Sequence, residues 1–206
     1  MEITCIGHSG FLIELPEYNL IFDYFRDKNN IIKPEIFENK KTIVFVSHNH
    51  FDHFNKKIIF NWNSFGDVIY ILDKGCIAPE NKNIIKVGED EDFDILNGGI
   101  NIKTYGSTDS GVSFLIKIKD FSVFHAGDLN DWYWEDESTP EELIEYEENY
   151  FNIIKKLAGI KINIAFIPED PRLGINSGRG IKYFKEIVNP ERIIPMHFPG
   201  NDGVKY

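Results

Sequence analysis

Ile43-Val44-Phe45-Val46-Ser47-His48-Asn49-His50-Phe51-Asp52-His53 is the stretch that decides how this chain is read. Four consecutive apolar residues make a buried strand, and three of the chain's six histidines then fall within six positions, together with one aspartate. A strand that stops in a tight loop aims alternate side chains at one spot, so His48 and His50 converge. Asp52 and His53 turn back from the first step of a following helix toward a second spot nearby. Imidazole and carboxylate are the ligands that borderline divalent ions take, zinc first among them. The opposing reading, a solvated loop rich in histidine, does not explain why the cluster sits at the end of a core strand.

Outward from this stretch, residues 2–6, 11–15 and 19–23 read as short strands. The turns between them are Gly7-His8-Ser9-Gly10 and Pro16-Glu17-Tyr18-Asn19. Asp23 ends the third strand. A polar, lysine-rich connection over 26–41 carries a short helix at Pro34-Glu35-Ile36-Phe37, and a helix over 54–62 follows the histidine cluster. Val68 to Leu72 is a strongly β-prone run. Further strands are expected near 83–87, 93–96 and 100–104, with Asn97-Gly98-Gly99 as a hairpin turn. Strands over 112–119 and 121–125 deliver Ala126-Gly127-Asp128 to a strand end. Thr139-Pro140-Glu141-Glu142 is a helix start: threonine caps, proline suits the first turn, and the acids face the positive end. That helix should run to about Leu157, with Gly159 as its stop. A strand at 162–167, a helix at 178–187 and a strand at 192–195 lead into Met196-His197. No low-complexity segment or linker interrupts the chain, so a single domain over 1–206 is expected.

A chain of 206 residues can bury one substantial core, and seventeen Phe with nine Tyr supply a large aromatic share of it. The formal net charge of −11 argues against nucleic acid as a partner, because phosphate contacts need a basic footprint. A small anionic substrate held by a metal and an arginine stays compatible with it. Cys5 and Cys76 lie in apolar, strand-like surroundings and read as reduced core residues. Neither a signal segment nor a membrane span is visible, which makes the cytoplasm the expected location and a membrane an unexpected partner. The aromatic content leaves a homo-oligomer open.

The spacing His48-x-His50-x-Asp52-His53 resembles the opening motif of the metallo-β-lactamase superfamily. The Gly7-His8-Ser9 turn is similar to that of its small branch containing ascorbate-phosphate lactonase-like proteins. The resemblance implies an α+β, four-layer αββα sandwich and a metal-dependent hydrolase. It implies that Asp23 supports the metal loop from behind, where a plain strand-ending turn residue is the alternative. It assigns Asp128 as the carboxylate bridging two ions and His197 as a ligand of the second ion. With Asp52 and His53 these complete the second site. The first site departs from the pattern. The histidine usually found after the strand near 100–104 is absent, and Tyr105-Gly106-Ser107-Thr108-Asp109-Ser110-Gly111 stands there instead. Asp109 is the chemically competent substitute beside Ser107 and Thr108, although Asp-Ser-Gly is also ordinary turn chemistry. A carboxylate in place of imidazole would move preference from Zn²⁺ toward Mn²⁺ or Fe²⁺, in one or two ions.

In the generic mechanism such a centre implies, the ions activate a bridging water, and Asp52 is the catalytic group that orients it or relays its proton. His125 is expected behind the site or in packing. His8 is expected at the rim, binding substrate, filling the missing ligand position, or simply turning the chain. Trp132, Tyr133 and Trp134 follow Asp128 closely and either wall the site or anchor the 139–157 helix. Arg172, in the loop after a buried strand, is a candidate for holding a carboxylate or phosphate, against a surface ion pair. The expected substrate is a small ester, lactone or phosphodiester. The rival classes are a metal-binding sensor or scaffold with little hydrolysis, and an iron-based redox protein, which would need a flavin-bearing partner.

Overall fold

Every residue from Thr42 to Val46 is buried, as an apolar run without alternation demands of a central parallel strand. This strand, β4 (Lys41–Val46), pairs in parallel with β3 (Tyr18–Phe22) on one side and β5 (Val68–Asp73) on the other. The computed structural model describes residues 1–206. Its chain divides into two compact units, Met1–Val87 with Pro199–Tyr206, and Gly88–Phe198.

The first unit is one six-stranded sheet in the order β1 (Glu2–Gly7), β2 (Gly10–Glu14), β3, β4, β5, β6 (Ile84–Val87). The first two pairings are antiparallel hairpins and the last three are parallel. Parallel neighbours need crossover connections, and the crossover from β4 to β5 carries the histidine cluster. One sheet face presents Leu12, Ile21, Val44 and Tyr70 to Phe37, Ile59 and Trp62 from the crossovers. The expected helix over 54–62 is only a single α turn, α1 (Lys56–Ile59), continued as a 3₁₀ turn through Ser64. Asn55 is the reason at its start: its side-chain amide donates to the Phe25 carbonyl, and no side chain caps the helix. Residues 199–206 return to β1, where the Cys5 N–H bonds the Val204 carbonyl and the Tyr206 N–H bonds that of Ile3, both at 2.9 Å. Cys5 and Cys76 are free thiols in the interior, and burial pushes both up to about 12.

The second unit is another six-stranded sheet. Its order is β12 (Arg192–Met196), β11 (Ile164–Pro168), β10 (Phe121–His125), β9 (Ser113–Ile118), β8 (Ile100–Tyr105), β7 (Asp92–Ile95). β7 to β10 run as antiparallel neighbours, while β10, β11 and β12 are parallel. The β7–β8 turn puts Leu96, Asn97 and Gly98 at φ 54°, 56° and 84°, the left-handed run that a tight hairpin needs and that Asn-Gly tolerates. Thr139 and Glu142 form a reciprocal capping box on α2 (Pro140–Ile154), which tightens into a 3₁₀ turn ending at Leu157. Phe184 of α3 (Arg179–Ile187) stacks on Phe124 of β10 with ring centroids 5.3 Å apart. The expected α+β composition, two sheets with few helices, is therefore present, and no helix is long and apolar enough to cross a membrane.

Candidate metal centre

Parallel pairing builds the first cluster. The register Phe22 to Phe45 brings the ends of β3 and β4 side by side, so Asp23 lies against Ser47. Asp23 takes a left-handed φ of 39° and is 1% exposed. Its carboxylate accepts from the Ser47 N–H at 2.7 Å and the Ser47 hydroxyl at 2.6 Å, and contacts His53 Nδ1 at 2.8 Å. The Ser47 hydroxyl, having given its only proton to Asp23, accepts from His48 Nδ1 at 2.9 Å. Both buried imidazoles are thus held with Nδ1 protonated, which leaves the Nε2 lone pair of each as the donor for a metal. His48 Nε2 lies 2.9 Å from His50 Nδ1, near the roughly 3.3 Å that two nitrogens have on one tetrahedral zinc. This donor set fits a divalent ion.

Asp52 and His53 do not start a helix as expected. They sit in a turn closed by His53 and Phe54 N–H bonds to the His50 carbonyl, three residues before α1. The turn sends Asp52 and His53 back beside His8, whose φ is 57°. The ligand atoms of His8, Asp52 and His53 lie within 4.8 Å of one another. His8 therefore stands on the Asp52–His53 side of the loop. His8 Nε2 is 3.5 Å from Asp52 Oδ2, and this bond, with help from His53, overcomes partial burial and lowers the Asp52 carboxyl to about 2.

The second unit repeats the device. Pairing of Pro168 with Met196 aligns the ends of β11 and β12, and Asp170 Oδ2 meets His197 Nδ1 at 2.9 Å. His197 Nε2 then points at Asp128 Oδ1, 3.3 Å away. Burial would raise the Asp170 carboxyl, but bonds from His197 and Arg172 outweigh it and hold it below the usual carboxylate range. Asp170 was not singled out in the sequence; its signal was another acid just past the end of a buried strand, in Pro168-Glu169-Asp170-Pro171. Arg172 gives its backbone N–H, Nε and Nη2 to Asp170, and its guanidinium lies 5.6 Å over the Trp134 ring.

Asp128 follows Gly127, which adopts φ 56°, a left-handed turn that suits glycine. His125 is fully buried, accepts from the Gly127 N–H at 3.2 Å and packs on Phe166, so it shapes the turn before Asp128. Thr108 spends its hydroxyl on the backbone of Asn130, at 2.6 and 2.9 Å. Asp109 is exposed, with a carboxylate oxygen within 4.8 Å of one on Asp128. A cavity of about 350 Å³ within this unit is lined by Asp109, Asp128, His197, Trp132, Trp134 and Arg172, with Thr108 and Tyr146. Trp132 and Trp134 stack with planes 3° apart, and the Trp132 ring meets His197 edge-on at 5.5 Å.

With this geometry established, comparison with known proteins defines the class. Residues 2–142 match the model of the beta-lactamase superfamily domain. A UPF0173 metal-dependent hydrolase of Desulforamulus reducens is 21% identical over 96% of this chain and 84% of its own. Among solved structures, Igni18, a metallo hydrolase from Ignicoccus hospitalis, superposes with a TM-score of 0.64 at 16% identity, over 96% of this chain and 82% of that one. YhfI from Bacillus subtilis, a metallo-beta-lactamase fold protein, has the same TM-score at 11% identity and covers 100% and 98%. The protein belongs to the beta-lactamase superfamily and has the metallo-β-lactamase fold.

Proposed function

We propose that this protein is a metal-dependent hydrolase of a small ester, lactone or phosphodiester, acting in the cytoplasm and not on nucleic acid. The observation that carries the reading is the fixing of His48, His53 and His197 by Ser47, Asp23 and Asp170, each through Nδ1. Three imidazoles oriented from behind by hydroxyl or carboxylate present Nε2 outward, as metal-ligating histidines do. The candidate ligands for one or two ions are His48, His50, Asp52 and His53 in the first unit, and in the second Asp128 and His197, with Asp109 in the place of the missing histidine. Zinc suits the imidazoles, and the carboxylates also admit manganese or iron.

A bound ion of this kind lowers the pKa of water and polarises a substrate oxygen. The chain supplies the rest. Asp52, held ionised by His8, is an acceptor for the proton of an attacking water. Trp132 and Trp134 give the substrate a flat apolar wall, and Arg172, braced on Asp170, offers positive charge at the cavity. The relatives' description as metal-dependent hydrolases supports the same reading.

A sensor with bound metal and little turnover is the second reading, favoured by one observation: the third-motif position holds an exposed carboxylate instead of imidazole. Metal content per chain, measured on protein purified without chelators, tests both. Close to two ions, falling toward one in Asp109→Ala, with turnover of generic esters or phosphodiesters, is the expected result. About one ion in both proteins and no turnover would put the sensor ahead.

A further inference from the structure

Asp131 is fully buried, yet it lies three residues past Asp128 in a loop whose neighbours are cavity residues. Its Oδ2 accepts from Arg179 Nε at 2.9 Å. Arg179 opens α3, and its guanidinium lies 3.8 Å over the Tyr133 ring, while Nη2 reaches Glu147 of α2 at 3.3 Å. The next helix residue, Gly180, presses on the same loop. A Cβ there would come within 2.1 Å of Asn130 Oδ1 and 3.3 Å of the Asp131 nitrogen. Its carbonyl is held by the Tyr150 hydroxyl of α2 at 2.8 Å. One helix, α3, therefore grips residues 130–133 while α2 braces α3, and Thr108 holds the Asn130 backbone.

The loop transmits this grip to the candidate ligands. Trp132, next to Asp131, donates its indole N–H to the Asp128 carbonyl at 3.0 Å and sets its ring edge-on to His197. We infer that the pairing of buried Asp131 with the partly buried Arg179 is a positioning device that holds Asp128 and His197 in ligand geometry through Trp132. This rests on the metal-centre reading above. Simple docking of α3 does not require a buried charge, because an apolar pair of similar volume docks a helix as well or better. What the ion pair adds is a fixed direction: the guanidinium is held by a carboxylate and a ring face at once, so the loop has one register on the helix.

The test uses the full chain, stripped with chelator and titrated with Co²⁺ as the probe, alongside the Tm of the stripped protein. Arg179→Met is expected to weaken Co²⁺ binding several-fold to about tenfold, at or below the roughly tenfold to hundredfold cost of removing a direct partner of a metal ligand, because Arg179 acts through Asp131 and Trp132. The paired change Asp131→Leu with Arg179→Met is expected to restore the Tm and leave Co²⁺ binding weak. Co²⁺ affinity of Arg179→Met within about twofold of wild type, or full recovery of affinity in the paired variant, would overturn the inference. Should either apolar variant fail to fold, Arg179→Lys decides alone. It keeps the charge but not the fork, and several-fold weaker Co²⁺ binding at an unchanged Tm is expected; wild-type affinity would overturn the inference. A wild-type protein that takes up no Co²⁺ would instead bring down the metal-centre reading itself.

Discussion

The two units use one device and anchor it differently. In each, two parallel strands end side by side, one delivering an aspartate and the other a histidine that it orients: Asp23 with His53, and Asp170 with His197. Asp23 accepts in the interior from a backbone N–H and a hydroxyl and meets an imidazole there. Asp170 takes its remaining bonds from Arg172, whose side chain is 65% exposed. The first anchor is thus part of a core, and the second is tied to a surface side chain that also lines the cavity. Removing a partner inside a dry network strands several buried donors, whereas a solvent-facing partner can be replaced by water.

The largest effect should come from Asp23→Ala. It strands the Ser47 N–H, the Ser47 hydroxyl and His53 Nδ1 together, and a loss of about 3 kcal/mol or more in denaturant unfolding is expected. A loss under about 1 kcal/mol would mean that water reaches the site and that the two anchors are alike. Asp170→Asn keeps the shape and removes the charge that steadies His197. Its expected mark is metal affinity, about tenfold to a hundredfold weaker by chelator competition, with a smaller change in unfolding. Equal losses of stability in the two variants would erase the contrast. The mildest effect is alkaline. Both thiols belong to the first unit and are raised from 9.0 to about 12 by burial, so they ionise more readily once unfolded. The stability they contribute is whole below pH 9 and drains as pH climbs toward 12. The urea midpoint should fall between pH 9 and 11, and less so in Cys5→Val with Cys76→Ala; parallel slopes would remove thiol burial as the cause.

Much of this was legible because its signals are local. The strand at 43–46, the loop after it, the Asn97-Gly98 hairpin and the Thr139–Glu142 cap each rest on neighbours in sequence. The helix at 54–62 was overestimated because apolar spacing does not reveal that Asn55 spends its side chain on Phe25, 30 residues away. Asp170 was missed for a related reason. Its role depends on the register of β11 against β12, and nothing near position 170 announces a histidine 27 residues later. His8 is expected from the sequence at the site rim, as a substrate contact, a replacement ligand or a plain turn residue, but only folding decides which ligands it stands beside.

The return of residues 199–206 to β1 bears on how the chain is made. The first unit is discontinuous, and the segment that covers its outer strand is synthesised only after all of the second unit. Until then β1 offers an open row of N–H and C=O groups, a template on which another nascent chain could add a strand. Appending a tag or cutting the chain near position 198 therefore touches more than a loose end. It decides whether the outer strand of the first sheet is ever sealed.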